Sequence, residues 1–400
     1  MTNTGKKTRK EKSIEEIFQQ INSKYVRIKR QERKNNNVIL YGVLEELLKI
    51  MRECDSLFDS MKPRLEYLGS YFDGLRVGQP TEYDLNVIVT IPVDYSKIQL
   101  ESQKNAYTSI KMPEEFRRLS KIPATAMKGF SKTESWCDPS YRLSVKRFRS
   151  AMQRVVDVAL NQLPIEDGKR ISKVKDVYYK ILYKMSGPAN TITICIGDNY
   201  VIDVDLVPTL QFELPKIPAR SKIDFRKVER TNVSYYFAVP KPNDDDYSWR
   251  LAFPYQERYY MDDKNNLKSA LKLLKLFRDV QGFDKLASYF IKTLFLWEIV
   301  DSVEEILWKK TSLVSLVLYM LGKLRDCLAN ATIKNFWCPE HNLLEKIKHE
   351  TCHNWSNRIS NVIRDIERNK LKNPSIVLKY FTKQDNEKSK CKRNVKSNNK

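Results

Sequence analysis

Two stretches of this chain each set a pair of acids two positions apart in an apolar run, EYDLNVIV at 82–89 and YVIDVDLV at 200–207. In an extended strand the side chains alternate between faces, so Glu82 and Asp84 point one way while Tyr83, Leu85, Val87 and Val89 point the other. Asp203 and Asp205 share a face in the same manner. Strands of this kind need a sheet with one face in a core and the other left to polar partners. Brought side by side they present three carboxylates, Glu82 and Asp84 with either Asp203 or Asp205. That donor set suits two divalent metals, because hard cations take oxygen ligands.

A Gly-Ser turn, Gly69-Ser70, stands shortly ahead of the first acid pair. Its backbone and hydroxyl can hold a triphosphate, while two metals polarise the α-phosphate and stabilise the departing pyrophosphate. The chemistry implied is nucleotidyl transfer. The competing reading, acids exposed on an edge strand, would require the turn, the Glu-x-Asp pair and the later Asp to coincide by chance.

With 400 residues the chain can form one large two-lobed unit or two ordinary domains. A formal charge of +22 exceeds what solubility needs and argues for a polyanionic partner, nucleic acid before a membrane surface. The cysteines, Cys54, Cys137, Cys195, Cys327, Cys338, Cys352 and Cys391, are scattered rather than spaced as a disulfide framework, and no secretory signal opens the sequence. The expectation is a cytoplasmic, reducing compartment. The apolar segments 286–300 and 313–321 are interrupted by Lys292 and Glu298 or fall short of the about 20 residues a bilayer needs, so they read as core helices.

Taken in order, residues 1–12 are basic and expected to be disordered. Ser13 and Glu16 form a capping box ahead of Ile14, Ile17, Phe18 and Ile21. Lys24, Arg27, Lys29, Arg30, Arg33 and Lys34 follow, and a second helical pattern runs through Leu40, Val43, Leu44, Leu47 and Met51. Residues 107–150 show few strand signals but many cations, including Arg117, Arg118, Lys128 and Lys132, which could border a nucleic-acid groove or clothe a helix at 141–163. Strand patterns return at 174–183, 191–195, 200–207 and 235–239. Asp244-Asp245-Asp246, next to Pro242 and Asn243, reads as a solvated acidic turn rather than a metal cluster. Beyond Trp249 the pattern is helical, at 267–280, 283–300, 303–330 and 343–370, before a basic tail at 383–400 expected to be disordered. The predicted division is 13–240 for an α+β nucleotidyltransferase core and 241–382 for a helical lobe.

Several motifs in one order carry a resemblance. GSYFDGLRVGQPTEYDLNVIV at 69–89, VDLVP at 204–208, FAVPK at 237–241, SWRLAFP at 248–254 and SYFIKT at 288–293 are similar to the cyclic GMP-AMP synthase and cyclic GMP-AMP synthase-like receptor family, over most of the chain. The resemblance implies a nucleotidyltransferase core with a twisted mixed sheet, an N-terminal spine helix spanning both lobes, a C-terminal helical bundle and an active site in the cleft between them. It implies Glu82, Asp84 and Asp205 as catalytic metal ligands for two Mg²⁺ or Mn²⁺ ions, with Asp203 a bystander. Gly69 and Ser70 match the triphosphate-binding turn, Arg250 an acceptor-base contact, Lys275 a lysine near the donor phosphates, Ser288 and Tyr289 a phosphate contact and a base-stacking ring, and Glu257 an acidic nucleotide contact.

Departures from the family pattern bear on the ligand. Ala252 and Pro254 stand where the vertebrate DNA sensor has nucleotide-contacting serines, and 255–284 holds no Cys or His where that sensor inserts a zinc ribbon. Retention of the basic first helices resembles the insect receptors that sense double-stranded RNA, with Lys24, Arg27, Lys29, Arg30, Arg33, Lys34, Arg117, Arg118 and Lys241 as the nucleic-acid contacts. The implied function is double-stranded RNA-activated synthesis of cyclic GMP-AMP from ATP and GTP in antiviral signalling, with dimerisation on RNA as an open element and no membrane partner. The alternatives are a synthase answering DNA or another ligand, a linear oligonucleotide synthase, and a catalytically silent nucleic-acid scaffold. Cys338, His341, His349, Cys352 and His353 have zinc-like spacing, but Leu343, Leu344 and Ile347 favour a packed helix there.

Overall fold

The computed structural model describes residues 12–121, 133, 135–186, 189–197, 199–241, 245–264, 266–301, 308 and 310–382. The expected disordered ends at 1–11 and 383–400, Lys128, Lys132, Asp244 and Cys391 lie outside the described residues, as do 303–307 and 309 of the predicted helix at 303–330. Contacts divide the chain into two compact units, one comprising the described residues of Met1–Arg27, Asp263–Ile333 and Asn342–Lys400, the other Ile28–Asp262 with Lys334–His341.

The second unit is built on a mixed sheet of β1 (Arg64–Leu68), β2 (Glu82–Val89), β3 (Gln99–Ser102), β4 (Tyr107–Lys111), β5 (Ile165–Glu166), β6 (Lys169–Val174), β7 (Val177–Ser186), β8 (Ala189–Ile196), β9 (Tyr200–Glu213), β10 (Tyr235–Val239) and β11 (Trp249–Ala252). The strand order is β3-β4-β11-β10-β9-β8-β7-β6-β5, with β2 paired to β1 and, in parallel, to β9. The alternation expected of 82–89 is present: Tyr83, Leu85 and Val87 are buried while Glu82 and Asp84 are exposed. On β9, Ile202, Val204 and Leu206 are buried in the same core.

The helix Arg30–Cys54 buries Leu40, Val43, Leu44, Leu47 and Met51, the positions picked out by helical periodicity. It lies close against β6, where a Cβ on Gly42 would come within 2.4 Å of Val174 Cγ1, so only glycine permits the approach. The helix Val145–Leu160 is capped by Ser144, whose hydroxyl accepts from Arg147 N at 3.0 Å. Asp246 completes the cap by accepting from Ser144 Oγ and, at 2.7 Å, from Lys146 N. Asp246 is therefore a structural acid rather than part of a solvated turn.

Several elements differ from expectation. The predicted strand at 174–183 is β7 from Val177 on, and its first residue, Val174, instead ends β6 across a turn at Lys175, whose φ of 57° is left-handed. Residues 249–252 are not helical, because Arg250 pairs with Val239 on one side and Tyr107 on the other. The described residues of 241–262 fall in the sheet unit. Within 107–150, β4 forms where strand signals were few, pairing with β3 and β11.

The other unit is helical. Ser13 and Glu16 form the predicted capping box, with Ser13 N donating to Glu16 Oε2 at 2.6 Å, and Ile14–Ile21 buries Ile17, Phe18 and Ile21. The helices Leu267–Gln281, Ser288–Asp301, Leu313–Ala329 and His349–Asn369 supply most of the rest. Phe18 and Phe277 both meet the ring of Phe381, at 5.0 and 5.4 Å between centroids, and Phe283 stacks on Trp355 at 5.0 Å. The packed helix expected from Leu343 begins only at His349. Asn342 is the reason: its Oδ1 accepts from Ile333 N and Leu344 N and its Nδ2 donates to Ala331 O, fixing a turn that competes with a helical first turn. Among the described residues no helix is long and apolar enough to cross a membrane.

The Asp246 cap yields a prediction. Asp246→Ala removes the partners of Ser144 Oγ and Lys146 N and should destabilise the protein by about 1–2 kcal/mol, measured as a lower midpoint in chemical unfolding. An unchanged midpoint would show that water replaces the cap at no cost.

Candidate nucleotidyl-transfer site

The site is assembled from the β2–β9 register. Glu82 lies opposite Asp203 and Asp84 opposite Asp205 on the exposed face of the sheet. The next strand completes the row: Thr191 and Thr193 of β8 face Asp205 and Asp203, and each hydroxyl donates to Oδ1 of its aspartate. On the other flank β1 pairs Leu68 with Asp84, so the turn that follows β1 begins beside that carboxylate.

Gly69 opens that turn with φ +78°, and a Cβ there would fall 2.2 Å from Asp84 Oδ2. Both the backbone angle and the carboxylate exclude a side chain. Ser70 follows, half-buried, with its carbonyl accepting from Leu75 N at 2.7 Å. Asp73, buried behind the turn, accepts from Arg258 Nε at 2.6 Å, and Arg258 also donates to Tyr67 O at 2.7 Å. Arg258 thus ties the helix Pro254–Met261 to the turn.

The acids are unequal. Surrounding protein, then the charges of Asp205 and Glu82, push the Asp84 carboxyl above the usual carboxylate range, although its residue remains open to solvent. Glu82 is drawn aside by Arg76, whose Nη1 lies 2.6 Å from Glu82 Oε2. Among the described residues no three His, Cys, Asp or Glu side chains are gathered closely enough to hold an ion as they stand. The donor set still fits a divalent cation: all-oxygen, on one face, and bearing mutual repulsion that a cation would relieve.

The remaining predicted contacts fall in different places. Arg250 lies on β11 beside Tyr107. Glu257 is buried, 6% exposed, and its Oε1 accepts from Trp337 Nε1 at 3.0 Å, so this carboxylate is committed to the fold. Lys275, also 6% exposed, Ser288 and Tyr289 belong to the helical unit, where Ser288 Oγ accepts from Arg278 at 2.7 Å. Sequence reasoning missed Thr191, Thr193, Arg76 and Arg258. The alternating threonines of TITI, opposite the alternating aspartates of DVD, were a visible signal for the first two.

Lys24, Arg27, Lys29, Arg30, Arg33, Lys34, Arg117, Arg118 and Lys241 are all exposed. Arg33 stacks over Tyr71 at 5.6 Å and Arg117 over Tyr141 at 5.1 Å. Arg118 is engaged by buried Glu115 at 2.8 Å, which holds the glutamate below its usual range, so its charge is largely spoken for. Arg27 gathers with Lys268 and Lys272 in the helical unit: burial, then Arg27, then Lys268 lower the Lys272 ammonium. Cys338 and Cys352 of the zinc-like window are buried free thiols, each pushed up chiefly by burial, which disfavours the thiolate a metal needs.

This geometry defines a nucleotidyltransferase: residues 71–263 match the Mab-21 protein nucleotidyltransferase domain and 266–361 the Mab-21 protein HhH/H2TH-like domain. Curated relatives are similar along most of the chain. A cyclic GMP-AMP synthase-like receptor of Trichogramma pretiosum is 31% identical over 90% of this chain and 74% of its own length. Proteins of the same description from Aethina tumida and Tribolium castaneum are each 30% identical, over 92% and 89% of this chain and 91% and 89% of their own lengths. The chain belongs to the cyclic GMP-AMP synthase-like receptor family.

Two substitutions test the site. Gly69→Ala should lower nucleotidyl transfer on the order of a hundredfold, because Asp84 must move, and should cost about 1–2 kcal/mol for the left-handed backbone. Asp84→Asn should abolish transfer yet raise the thermal midpoint of the metal-free protein at neutral pH. The sign follows from the raised carboxyl: folding favours its protonated form, so its destabilising effect sets in as pH rises from the ordinary carboxylate range through the raised value. The gain should vanish below that range; an equal gain at low pH would refute the charge-repulsion account.

Proposed function

We propose that this protein is a double-stranded RNA-activated enzyme of antiviral signalling that joins ATP and GTP into cyclic GMP-AMP in the cytoplasm. The observation that carries the chemical half is the Asp84–Asp205 pairing, with Glu82 two residues away and Gly69 packed on Asp84. The printed names of the relatives, all cyclic GMP-AMP synthase-like receptors, support the product. The exposed cations of 24–34, with Lys268 and Lys272 beside Arg27, support a phosphate backbone as activator, read by shape rather than by sequence.

Glu82, Asp84 and Asp205 would hold Mg²⁺ or Mn²⁺, which when bound lowers the pKa of the attacking ribose hydroxyl and neutralises charge on the α-phosphate. Thr191 orients Asp205 by occupying one of its oxygens. The Gly69-Ser70 turn receives the donor triphosphate, where small size and backbone amides let phosphate approach. Arg250, beside Tyr107 on the sheet, is assigned to a contact with the acceptor base. Two transfers, with the nucleotides exchanging roles, close the ring.

The test is incubation with labelled ATP and GTP, with long double-stranded RNA, double-stranded DNA or neither. The expected outcome is a phosphatase-resistant product made with RNA alone and lost with EDTA. Phosphatase-sensitive product would reject cyclisation, product with DNA would reject the activator, and absence of product in all arms would reject the enzymatic reading.

A further inference from the structure

The acids of the sheet face form two rows, Glu82 opposite Asp203 and Asp84 opposite Asp205. Like charges directly across a ladder are unfavourable, and the protein answers the two rows differently. In the first, Arg76 Nη1 donates to Glu82 Oε2 at 2.6 Å. In the second, among the described residues, neither Asp84 nor Asp205 has an ion-pair partner. One row carries its own cation, and the other is open to one from outside.

The cation is the fixed member of its pair. Arg76 Nε donates to Gln79 O at 3.3 Å, the carbonyl that also accepts from Thr81 N at 3.0 Å, and only 21% of the Arg76 side chain is exposed. The segment that carries it is pinned by Leu75, buried, whose N donates to Ser70 O at 2.7 Å. It is bounded by Gly74 and Gly78, whose φ of 73° and 79° favour glycine. Glu82 is the reverse case, the first residue of β2, with 67% of its side chain exposed. Its carboxylate can rotate away, whereas the guanidinium cannot follow without giving up Gln79 O.

The hold on Glu82 is also one that a metal can break. An ion pair with so exposed a partner is weak, and a divalent ion carries twice the charge of a guanidinium and takes oxygen ligands directly. The influence of Arg76 extends to the open row: burial, Asp205 and Glu82 raise the Asp84 carboxyl, and Arg76 works against them.

We propose that Arg76 is a positioning residue for the metal site, which occupies Glu82 in the metal-free protein. Asp84 and Asp205 then receive a divalent ion first, and Glu82 joins only on leaving Arg76. This rests on the nucleotidyl-transfer reading, which makes the three acids metal ligands, and adds to it an order of assembly. Arg76 thus competes with the ion for one carboxylate and leaves the other two in place to receive it.

The test is titration of the full-length protein with Mn²⁺, without nucleotide or RNA, following free Mn²⁺ by electron paramagnetic resonance. Arg76→Gln should tighten Mn²⁺ binding about fivefold, and Arg76→Lys, which keeps the charge, should stay near the wild-type value. In a Glu82→Gln background the gain from Arg76→Gln should disappear. A gain that persists there overturns competition for Glu82, and unchanged affinity in Arg76→Gln overturns the proposal outright. A second comparison leaves Arg76 intact: Glu82→Gln, a surface change, should weaken the first Mn²⁺ about twofold or less, and Asp84→Asn about tenfold or more. Equal losses would overturn the order of loading. Wild type that binds Mn²⁺ with this dependence on Arg76 yet makes no product would fault the proposed function alone. Wild type that binds no Mn²⁺ overturns both.

Discussion

The parallel pairing of β2 with β9 is the contact on which the rest of the sheet unit depends. It joins segments separated by more than a hundred residues and sets Glu82 against Asp203 and Asp84 against Asp205. Left to themselves these carboxylates would separate. What holds them is the opposite face, where Tyr83, Leu85, Ile202, Val204 and Leu206 are buried, each large apolar side chain contributing about 1.5–3 kcal/mol. A slip of one residue would carry every acid into the core and every apolar side chain out of it, so hydrophobic burial fixes the register and the register fixes the site.

Around that pairing the protein limits the freedom of each acid with short, local devices. Gly69 brings backbone against Asp84 where any side chain would collide. Arg76 takes up the charge of Glu82, and the hydroxyls of Thr191 and Thr193 each hold one aspartate. Arg258 braces the turn from the side of the helix Pro254–Met261 through Asp73 and the carbonyl of Tyr67. Charge repulsion is therefore confined to a surface where it can be answered by a ligand, and it is not spread through the core.

Much of this was legible in the chain. Alternation in EYDLNVIV and YVIDVDLV located both acid-bearing strands, Ser13 with Glu16 located a helix start, and 235–239 matched its strand to the residue. The misses have physical causes. WRLA at 249–252 is too short to alternate visibly, and its strand identity comes from neighbours β4 and β10 far away in sequence. Leu343, Leu344 and Ile347 have helical spacing, yet the amide of Asn342 takes the backbone groups into a turn. Asp246 looked like a loop acid because its partners, Ser144 and Lys146, lie about a hundred residues earlier. Glu257 has the right residue type for a nucleotide contact, but Trp337 claims it, and nothing in the local sequence announces that.

The threonine beside Asp205 has a consequence for ion choice. A hydroxyl donated to Oδ1 leaves Oδ2 as the less engaged oxygen, so in the proposed metal site Asp205 would favour binding through Oδ2. Large, loosely coordinated ions such as calcium draw on bidentate carboxylates to fill six to eight positions, whereas compact octahedral ions need one oxygen from each and complete their shell with water and phosphate. In the proposed site, a single side-chain hydroxyl on a neighbouring strand would thereby bias how one of the three carboxylates meets an ion.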